Sequence, residues 1–407
     1  MKCGLLGRKL GHSYSPQIHA LLENYSYQLF EKEPEEIGDF LKNGDFTGLN
    51  VTIPYKKEVI PFLDELSPAA ARLGAVNTIV RRDGKLIGHN TDYFGFRRLV
   101  QESGLQVAGK KVLVLGSGGA SSTAVAVLQE LGAKVTVISR SGENNYENLD
   151  RHADASVIVN TTPVGMYPNT GKSALSLEGF PRLEGVLDAV YNPARTQILL
   201  DAEHRGLAAV NGLWMLVAQA KESAEWFTGE EIPDSRIAKI HHTLRLQMEN
   251  IILIGMPGCG KTAVGQQLAQ KLGKKFVDAD ESLEARVCRK ITDIIPNDGE
   301  AAFREMESET LAELGKQSGL VIATGGGCVT QPQNYPLLHQ NGTIFWLKRE
   351  LDKLPTDGRP LSQKGTLGQM YEARMPLYLR FADAAISNDG SIAETASAIC
   401  RKLEETT

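Results

Sequence analysis

Two glycine-rich loops constrain this chain more than any other feature. GSGGAS, residues 116–121, follows the apolar run Lys111 to Leu115, and GMPGCGKT, residues 255–262, follows the run Asn250 to Ile254. Each loop leads into a helical pattern, Ser121 to Glu130 and Thr262 to Leu272. A strand, a glycine turn and a helix in that order leave the first N–H groups of the helix free and aimed at the turn, where they favour an anionic group. Further short apolar runs alternate with helical patterns: Lys134 to Ile138, Ser156 to Asn160, Gly185 to Ala189, Leu320 to Thr324 and Thr343 to Leu347. This alternation predicts an α/β chain with parallel sheets covered on both faces.

At 407 residues the chain is too long for a single core. We expect residues 1–100 to form one α/β unit, completed by helices over 212–242, residues 101–211 to form a dinucleotide-binding Rossmann unit, and residues 248–407 to form a P-loop unit. Met248 precedes a fresh strand, ENIILIGMPG, and reads as the former start of a separate protein. A cut there should release two halves that each fold.

Composition excludes several function classes. The chain is 42% hydrophobic and 23% charged with a net charge of -5, ordinary for a soluble globular protein. It has no basic arm or tail, so no nucleic-acid partner is expected. No run approaches ~18 apolar residues, so no membrane partner is expected. The start, MKCGLLGRKLGHS, is broken by Arg8 and Lys9 and does not read as a secretory leader. The 5 cysteines are scattered with no C-x-x-C pair, which argues against a disulfide framework or zinc site and for a cytoplasmic location.

The first loop reads as a pyrophosphate cradle. Gly116 permits the tight turn and Gly118 lets backbone N–H groups approach, with Gly119 and Ala120 opening the helix. The next strand ends ISRS, and Ser139 and Arg140 occupy the place where an NAD-binding fold puts an acid. A hydroxyl and a cation suit a 2′-phosphate, so NADP(H) is favoured over NAD. The second loop is a complete G-x-x-x-x-G-K-[ST] pattern. Its backbone, around Gly258 and Gly260, would hold phosphates, Lys261 would reach the terminal ones, and Thr262 would offer a hydroxyl to Mg²⁺. ATP is the expected nucleotide.

Other motifs are weak singly and specific in series. HSxSP with Ser13 and Ser15, NVTxPxK with Thr52 and Lys56, GAVNT with Asn77, NTD with Asp92, the glycine loop, NTTPVGM, DAVYNPxxT with Tyr191, and GLWMLVAQA with Gln219 follow one another in order. Over residues 1 to about 240 this series resembles shikimate dehydrogenase. The resemblance implies that Ser13, Ser15, Thr52, Asn77, Tyr191 and Gln219 surround shikimate, that Lys56 and Asp92 are the catalytic pair, and that Val190 and Gly212 lie on the cofactor side. Two positions depart from the family pattern. Asn144 stands where a second arginine is common, and Val190 where some relatives have Met.

Beyond Met248 the series is GMPGCGKT, FVDAD with Asp278 and Asp280, GEAAFREME with Arg304, TGGG with Gly326, GRPL with Arg359, and RMPLY with Arg374. It resembles shikimate kinase, a small nucleoside-monophosphate-kinase-like P-loop fold. The resemblance implies that Asp280 orients the attacking hydroxyl, that Asp278 supports Mg²⁺ with Thr262, and that Arg304 and Arg374 clamp the substrate carboxylate. It also implies that Gly326 lets the backbone approach the ring and that Arg359 stabilises the phosphoryl group in flight. The segment ELDKLPTDGRPL is short and lacks the arginine common upstream of Arg359, and SNDG lacks a basic residue that often clasps adenine.

Both resemblances meet at one compound. They imply a bifunctional enzyme that reduces 3-dehydroshikimate with NADPH and phosphorylates shikimate with ATP. Two other readings stay open: a non-catalytic shikimate or quinate sensor on the same folds, and an NAD-dependent quinate/shikimate dehydrogenase. The presence of Lys56, Asp92, Lys261, Asp280 and Arg359 weighs against the first, and Ser13 and Arg140 against the second.

Overall fold

The computed structural model describes residues 1–11, 13–354 and 367–405. The chain divides into two compact units. The first comprises Met1–Met166, Lys172–Tyr191 and Ile198–Thr243; the second comprises Tyr167–Gly171, Asn192–Gln197 and Leu244–Thr407.

The first unit begins with β1 (Lys2–Gly7), α1 (Ser15–Leu22), β2 (Ser26–Glu31), α2 (Ile37–Asn43), β3 (Gly48–Val51), β4 (Glu65–Leu66), α3 (Pro68–Leu73), β5 (Thr78–Arg82) and β6 (Lys85–His89). These strands form a sheet in the order β2-β1-β3-β5-β6-β4. The expectation of purely parallel sheets fails here, because β5 is antiparallel to both β3 and β6. The cause is local. Asp83 and Gly84 both have positive φ, 51° and 79°, and an Asp-Gly pair in that conformation closes a tight hairpin. Leu6, Leu49, Val51, Tyr55, Ile79 and Leu86 form this sheet's core.

α4 (Asp92–Glu102) leads to β7 (Lys111–Leu115), α5 (Gly119–Glu130), β8 (Lys134–Ile138), β9 (Val157–Asn160), β10 (Gly185–Asp188), α6 (Gln197–His204) and β11 (Ala208–Val210). This sheet is parallel, in the order β11-β10-β9-β7-β8. Residues 112–115 of β7 are completely buried, as a strand covered on both faces requires. The chain leaves β7 for β8 on one side and returns to β9 on the other. That reversal opens a crevice at the carboxyl ends of β7 and β9, where open α/β sheets hold ligands. α7 (Leu213–Thr228) packs along α4 and also meets α1, β3 and β5, so this late helix completes the first sheet.

α8 (Ser235–Met248) starts in the first unit and ends in the second. Then follow β12 (Asn250–Ile254), α9 (Lys261–Leu272), β13 (Lys275–Asp278), α10 (Ala279–Val287), α11 (Ile291–Gly315), β14 (Leu320–Ala323), α12 (Asn334–His339), β15 (Gly342–Lys348), α13 (Leu367–Phe381), β16 (Ala384–Ser387) and α14 (Ile392–Glu405). The sheet is parallel in the order β13-β14-β12-β15-β16. β12 lies between strands reached in opposite directions, so the second glycine loop also sits at a reversal point.

The last turn of α8 is part of the second unit rather than a linker. Leu246 packs against that unit's core. The Gln247 and Glu249 carbonyls accept from Lys274 Nζ at 3.0 and 2.7 Å, and Arg245 pairs with Glu249 at 3.2 Å. We therefore expect a fragment of residues 244–407 to be more stable than one of 248–407 by about 2 kcal/mol, from lost apolar burial and a lost hydrogen bond. Urea denaturation of the two fragments checks this, and equal midpoints would contradict it.

Candidate active sites

In the first unit Ser13, Ser15, Thr52, Lys56, Asn77, Asp92, Tyr191 and Gln219 line one cavity of about 240 Å³. These are the substrate and catalytic positions that the sequence pointed to, gathered from segments more than two hundred residues apart. Lys56 lies in the turn after β3, and Asp92 opens α4, where the helix dipole favours its negative charge. Lys56 Nζ donates to Asp92 Oδ2 at 2.6 Å. The two side chains are only 29% and 15% exposed, so their charges act with little screening by water. An ammonium held this way at a cavity wall can stabilise an oxyanion and deliver a proton to it.

Behind this pair lies a network that sequence reasoning missed. Asn77 Oδ1 accepts from Thr91 N at 2.7 Å, and Asn77 Nδ2 donates to Thr91 Oγ1 at 3.0 Å. Thr91 Oγ1 also donates to Gln219 Oε1 at 3.3 Å. Ser223 is its hub. Its hydroxyl accepts from Asn50 Nδ2 at 2.7 Å, meets Thr78 Oγ1 at 2.9 Å and Thr91 Oγ1 at 3.1 Å, and donates to the Gln219 carbonyl at 2.9 Å. Ser223 is fully buried and not part of the cavity wall, so it holds Asn50, Thr91 and Gln219, and through Thr91 Asn77, from behind. The available signal was spacing: Ser223 follows Gln219 by one helical turn. The buried His19 ring stacks on Tyr27, which donates to Asn50 Oδ1 at 2.7 Å. Burial pushes the His19 pKa down to about 3, so the ring stays neutral. Tyr191 meets Tyr14 edge-on, and burial raises its phenol pKa.

The dinucleotide loop sits between β7 and α5. Gly116 has φ 106°, and a Cβ there would come within 3.0 Å of Thr161 Oγ1. Nothing lies within 4 Å of a Cβ on Gly118 or Gly119, so the start of α5 is open there, and Ala120 behind it is half-buried. Gly118 is the helix N-cap and makes no side-chain cap bond, which leaves the first N–H groups for a ligand. These residues fit a pyrophosphate. Ser139 and Arg140 follow directly on β8, with Arg140 exposed and Ser139 N donating to the Asn144 carbonyl at 3.1 Å. A Cβ on Gly212 would collide with the Ala189 carbonyl, which brings α7 close under Val190.

In the second unit a cavity of about 430 Å³ is lined by Gly258, Gly260, Lys261, Thr262, Asp278, Asp280, Arg304, Gly326 and Arg374, together with Glu307. Gly255, Gly258 and Gly260 all have positive φ, 145°, 83° and 97°, which curls the loop around its own N–H groups. Lys261 Nζ donates to the Gly255 and Met256 carbonyls at 2.9 and 3.1 Å. Thr262 Oγ1 donates to Asp278 Oδ2 at 3.0 Å, placing a hydroxyl and a carboxylate together beside the phosphate cradle. Among the described residues no group of three or more His, Cys, Asp or Glu forms a metal cage. That donor set fits Mg²⁺, which commonly binds through one carboxylate, substrate phosphates and waters.

Asp280 is pushed up to about 6, first by burial and then by the negative charges of Glu307 and Asp278. A carboxylate so tuned can accept a hydroxyl proton near neutral pH. Arg304, 6% exposed, pairs with Glu307 Oε2 at 2.8 Å, and its Nε has no partner. Glu307 is the second residue that sequence reasoning missed, although it stands three residues from Arg304 on the same helix. Arg374 Nη1 and the Tyr378 hydroxyl donate to the Gly326 carbonyl at 3.2 and 2.5 Å. A Cβ on Gly326 would come within 2.7 Å of Pro257, so this backbone must stay bare. Arg359 lies outside the described residues.

An NADP-type dinucleotide crevice with an ammonium–carboxylate pair, followed by a phosphate loop with a buried acid, defines a dehydrogenase and a kinase in one chain. The chain belongs to the shikimate dehydrogenase family, and it also carries a shikimate kinase domain. A sequence profile of the shikimate dehydrogenase substrate binding domain matches residues 5–79, and one of shikimate kinase matches residues 257–404. The shikimate dehydrogenase (NADP(+)) of Clostridium perfringens is 37% identical over 264 residues, covering 60% of this chain and 97% of that protein. Shikimate dehydrogenase 1 from Peptoclostridium difficile superposes with a TM-score of 0.55 at 38% identity, covering 60% of this chain and 98% of its own. Shikimate 5-dehydrogenase from Thermus thermophilus, solved with NADP(H) and shikimate, superposes with a TM-score of 0.54 at 30% identity, covering 60% and 99%. Among the described residues, no helix is long and apolar enough to cross a membrane.

Proposed function

We propose that this chain catalyses two consecutive steps: NADPH-dependent reduction of 3-dehydroshikimate to shikimate, and ATP-dependent phosphorylation of shikimate to shikimate 3-phosphate. The observation that carries this reading is the paired one: the first unit gathers Lys56 and Asp92 in one cavity and carries a dinucleotide-type loop at a sheet reversal, and the second gathers Asp280, Arg304 and Arg374 in one cavity with its phosphate loop. In the first unit bound NADPH would supply hydride to the ketone carbon. Lys56 stabilises the negative charge that builds on the ketone oxygen and protonates it, while Asp92 holds the ammonium in place and accepts a ring hydroxyl. Ser13, Ser15, Thr52, Asn77, Tyr191 and Gln219 hold the carboxylate and hydroxyls. Gly116, Gly118, Gly119 and Ala120 carry the pyrophosphate, Ser139 and Arg140 the 2′-phosphate, and Val190 and Gly212 flank the nicotinamide.

In the second unit Asp280 takes the proton of the attacking shikimate hydroxyl. Arg304 and Arg374 hold the substrate carboxylate, with Glu307 fixing Arg304, and Gly326 leaves room for the ring. Gly258, Gly260 and Lys261 hold the ATP phosphates. Thr262 and Asp278 would hold Mg²⁺, which neutralises phosphate charge when bound. Arg359 completes the charge at the transferring phosphoryl group. Five unpaired cysteines fit a reducing, cytoplasmic setting.

The purified chain should oxidise NADPH only when 3-dehydroshikimate is present and release ADP only when shikimate is present. Failure of either dependence removes the corresponding half of the proposal. Arg140→Asp should shift preference from NADPH toward NADH, because its carboxylate repels the 2′-phosphate and accepts from the ribose diol. The kcat/KM ratio for the two cofactors checks this, with an expected change of about tenfold to a hundredfold for a charge-assisted contact. A wild type that already prefers NADH would remove the role given to Arg140.

A further inference from the structure

We propose that Arg349 is a nucleotide-binding residue of the kinase unit, its guanidinium pairing with the phosphate chain of the bound nucleotide. The inference rests on the kinase reading and adds a residue that no motif contains.

Arg349 follows the last residue of β15, the strand that neighbours β12, and so it emerges at the same sheet end as the phosphate loop. A Cβ built on Gly260 would stand 3.8 Å from Arg349 Nη1, which puts the guanidinium against the last glycine of that loop. Asn388 holds the same stretch, donating from Nδ2 to the Cys259 carbonyl at 2.6 Å. The Nε of Arg349 is buried and has no hydrogen-bond partner. Among the described residues no carboxylate lies within ion-pair distance of it. Asp389, whose charge it does feel, is already engaged by Glu350 N at 2.9 Å and Ser387 Oγ at 2.8 Å. A half-buried cation without a counter-ion is costly unless an anion arrives.

Which anion follows from position. Arg349 is not part of the wall of the cavity that holds Asp280, Arg304 and Arg374. It flanks the loop at Gly260, at the start of α9, where a phosphate chain would run. A planar fork of donors suits phosphate oxygens. It also supplies, from a strand end, positive charge that the short segment before Arg359 lacks in sequence.

The test uses the full chain with Arg349→Gln and Arg349→Lys. For Arg349→Gln the KM for ATP should rise by about tenfold to a hundredfold, as expected for losing a charge-assisted hydrogen bond, with the shikimate KM unmoved. Inhibition by inorganic tripolyphosphate should weaken in parallel, and Arg349→Lys should recover part of both losses. An unchanged ATP KM overturns the proposal. So does a rise in ATP KM with tripolyphosphate inhibition intact, which would mean a contact to the base. Equal rises in the ATP and shikimate KM values, or a lowered melting temperature with no rescue by lysine, would mean a structural role and also overturn it. Titration with a fluorescent ADP reads the same contact even if the wild type does not phosphorylate shikimate. Weaker ADP binding in Arg349→Gln then supports the assignment, and equal binding overturns it.

Discussion

Lys56→Ala is expected to lower kcat for 3-dehydroshikimate reduction by about 10²–10⁴-fold, the range for removing a positioned general acid. The ammonium touches Asp92 at 2.6 Å and faces a cavity otherwise walled by neutral hydroxyls, amides and apolar groups. Its charge matters most when the ketone oxygen becomes anionic, so the loss should fall on kcat rather than on KM. The neighbouring network of Asn77, Thr91, Gln219 and Ser223 does not depend on Lys56, and shikimate should still bind. Fluorescence or calorimetric titration with shikimate beside steady-state kinetics separates the two effects. Near-normal turnover with a raised KM would show that Lys56 only binds.

Lys261→Ala is the second large effect. It should lower shikimate phosphorylation by at least about 10²–10³-fold, as removal of a preorganised charge from a phosphoryl site does. In this structure Lys261 is 9% exposed and its ammonium bridges the Gly255 and Met256 carbonyls, so it is already inside the curled loop where phosphates would lie. NADPH oxidation in the same variant should stay at the wild-type rate. ADP release and NADPH oxidation measured on one preparation check both statements. A variant that loses both activities would point to unfolding or to a shared site.

Much of this was legible in the sequence, for reasons that differ by element. The parallel strands were readable from their short apolar runs, most clearly β7 and β12, which are buried on both faces, whereas β8 is a half-buried edge strand. Predicted and observed β7, β8 and β12 coincide at Lys111–Leu115, Lys134–Ile138 and Asn250–Ile254. The β5–β6 hairpin was not legible, because β6 mixes Lys85 and His89 with its apolar residues and the Asp83–Gly84 pair is its one short turn signal. The site residues were legible where they lie in short motifs that a single segment carries, as with Lys56 and Asp92. Ser223 and Glu307 escaped because their importance comes from partners elsewhere, Asn50 and Thr78 for one and Asp280 for the other. Arg349 escaped for the same reason: only the sheet order brings the end of β15 beside Gly260.

The central claim, that one chain performs both steps, is tested most directly by product analysis. Purified protein is mixed with 3-dehydroshikimate, NADPH, ATP and Mg²⁺, and the organic acids are resolved by mass spectrometry. The wild type should convert 3-dehydroshikimate through to shikimate 3-phosphate. Lys261→Ala should stop at shikimate, and Lys56→Ala should leave 3-dehydroshikimate unconverted yet still phosphorylate added shikimate. A wild-type mixture that accumulates shikimate without its phosphate, or that leaves 3-dehydroshikimate untouched, would contradict the account.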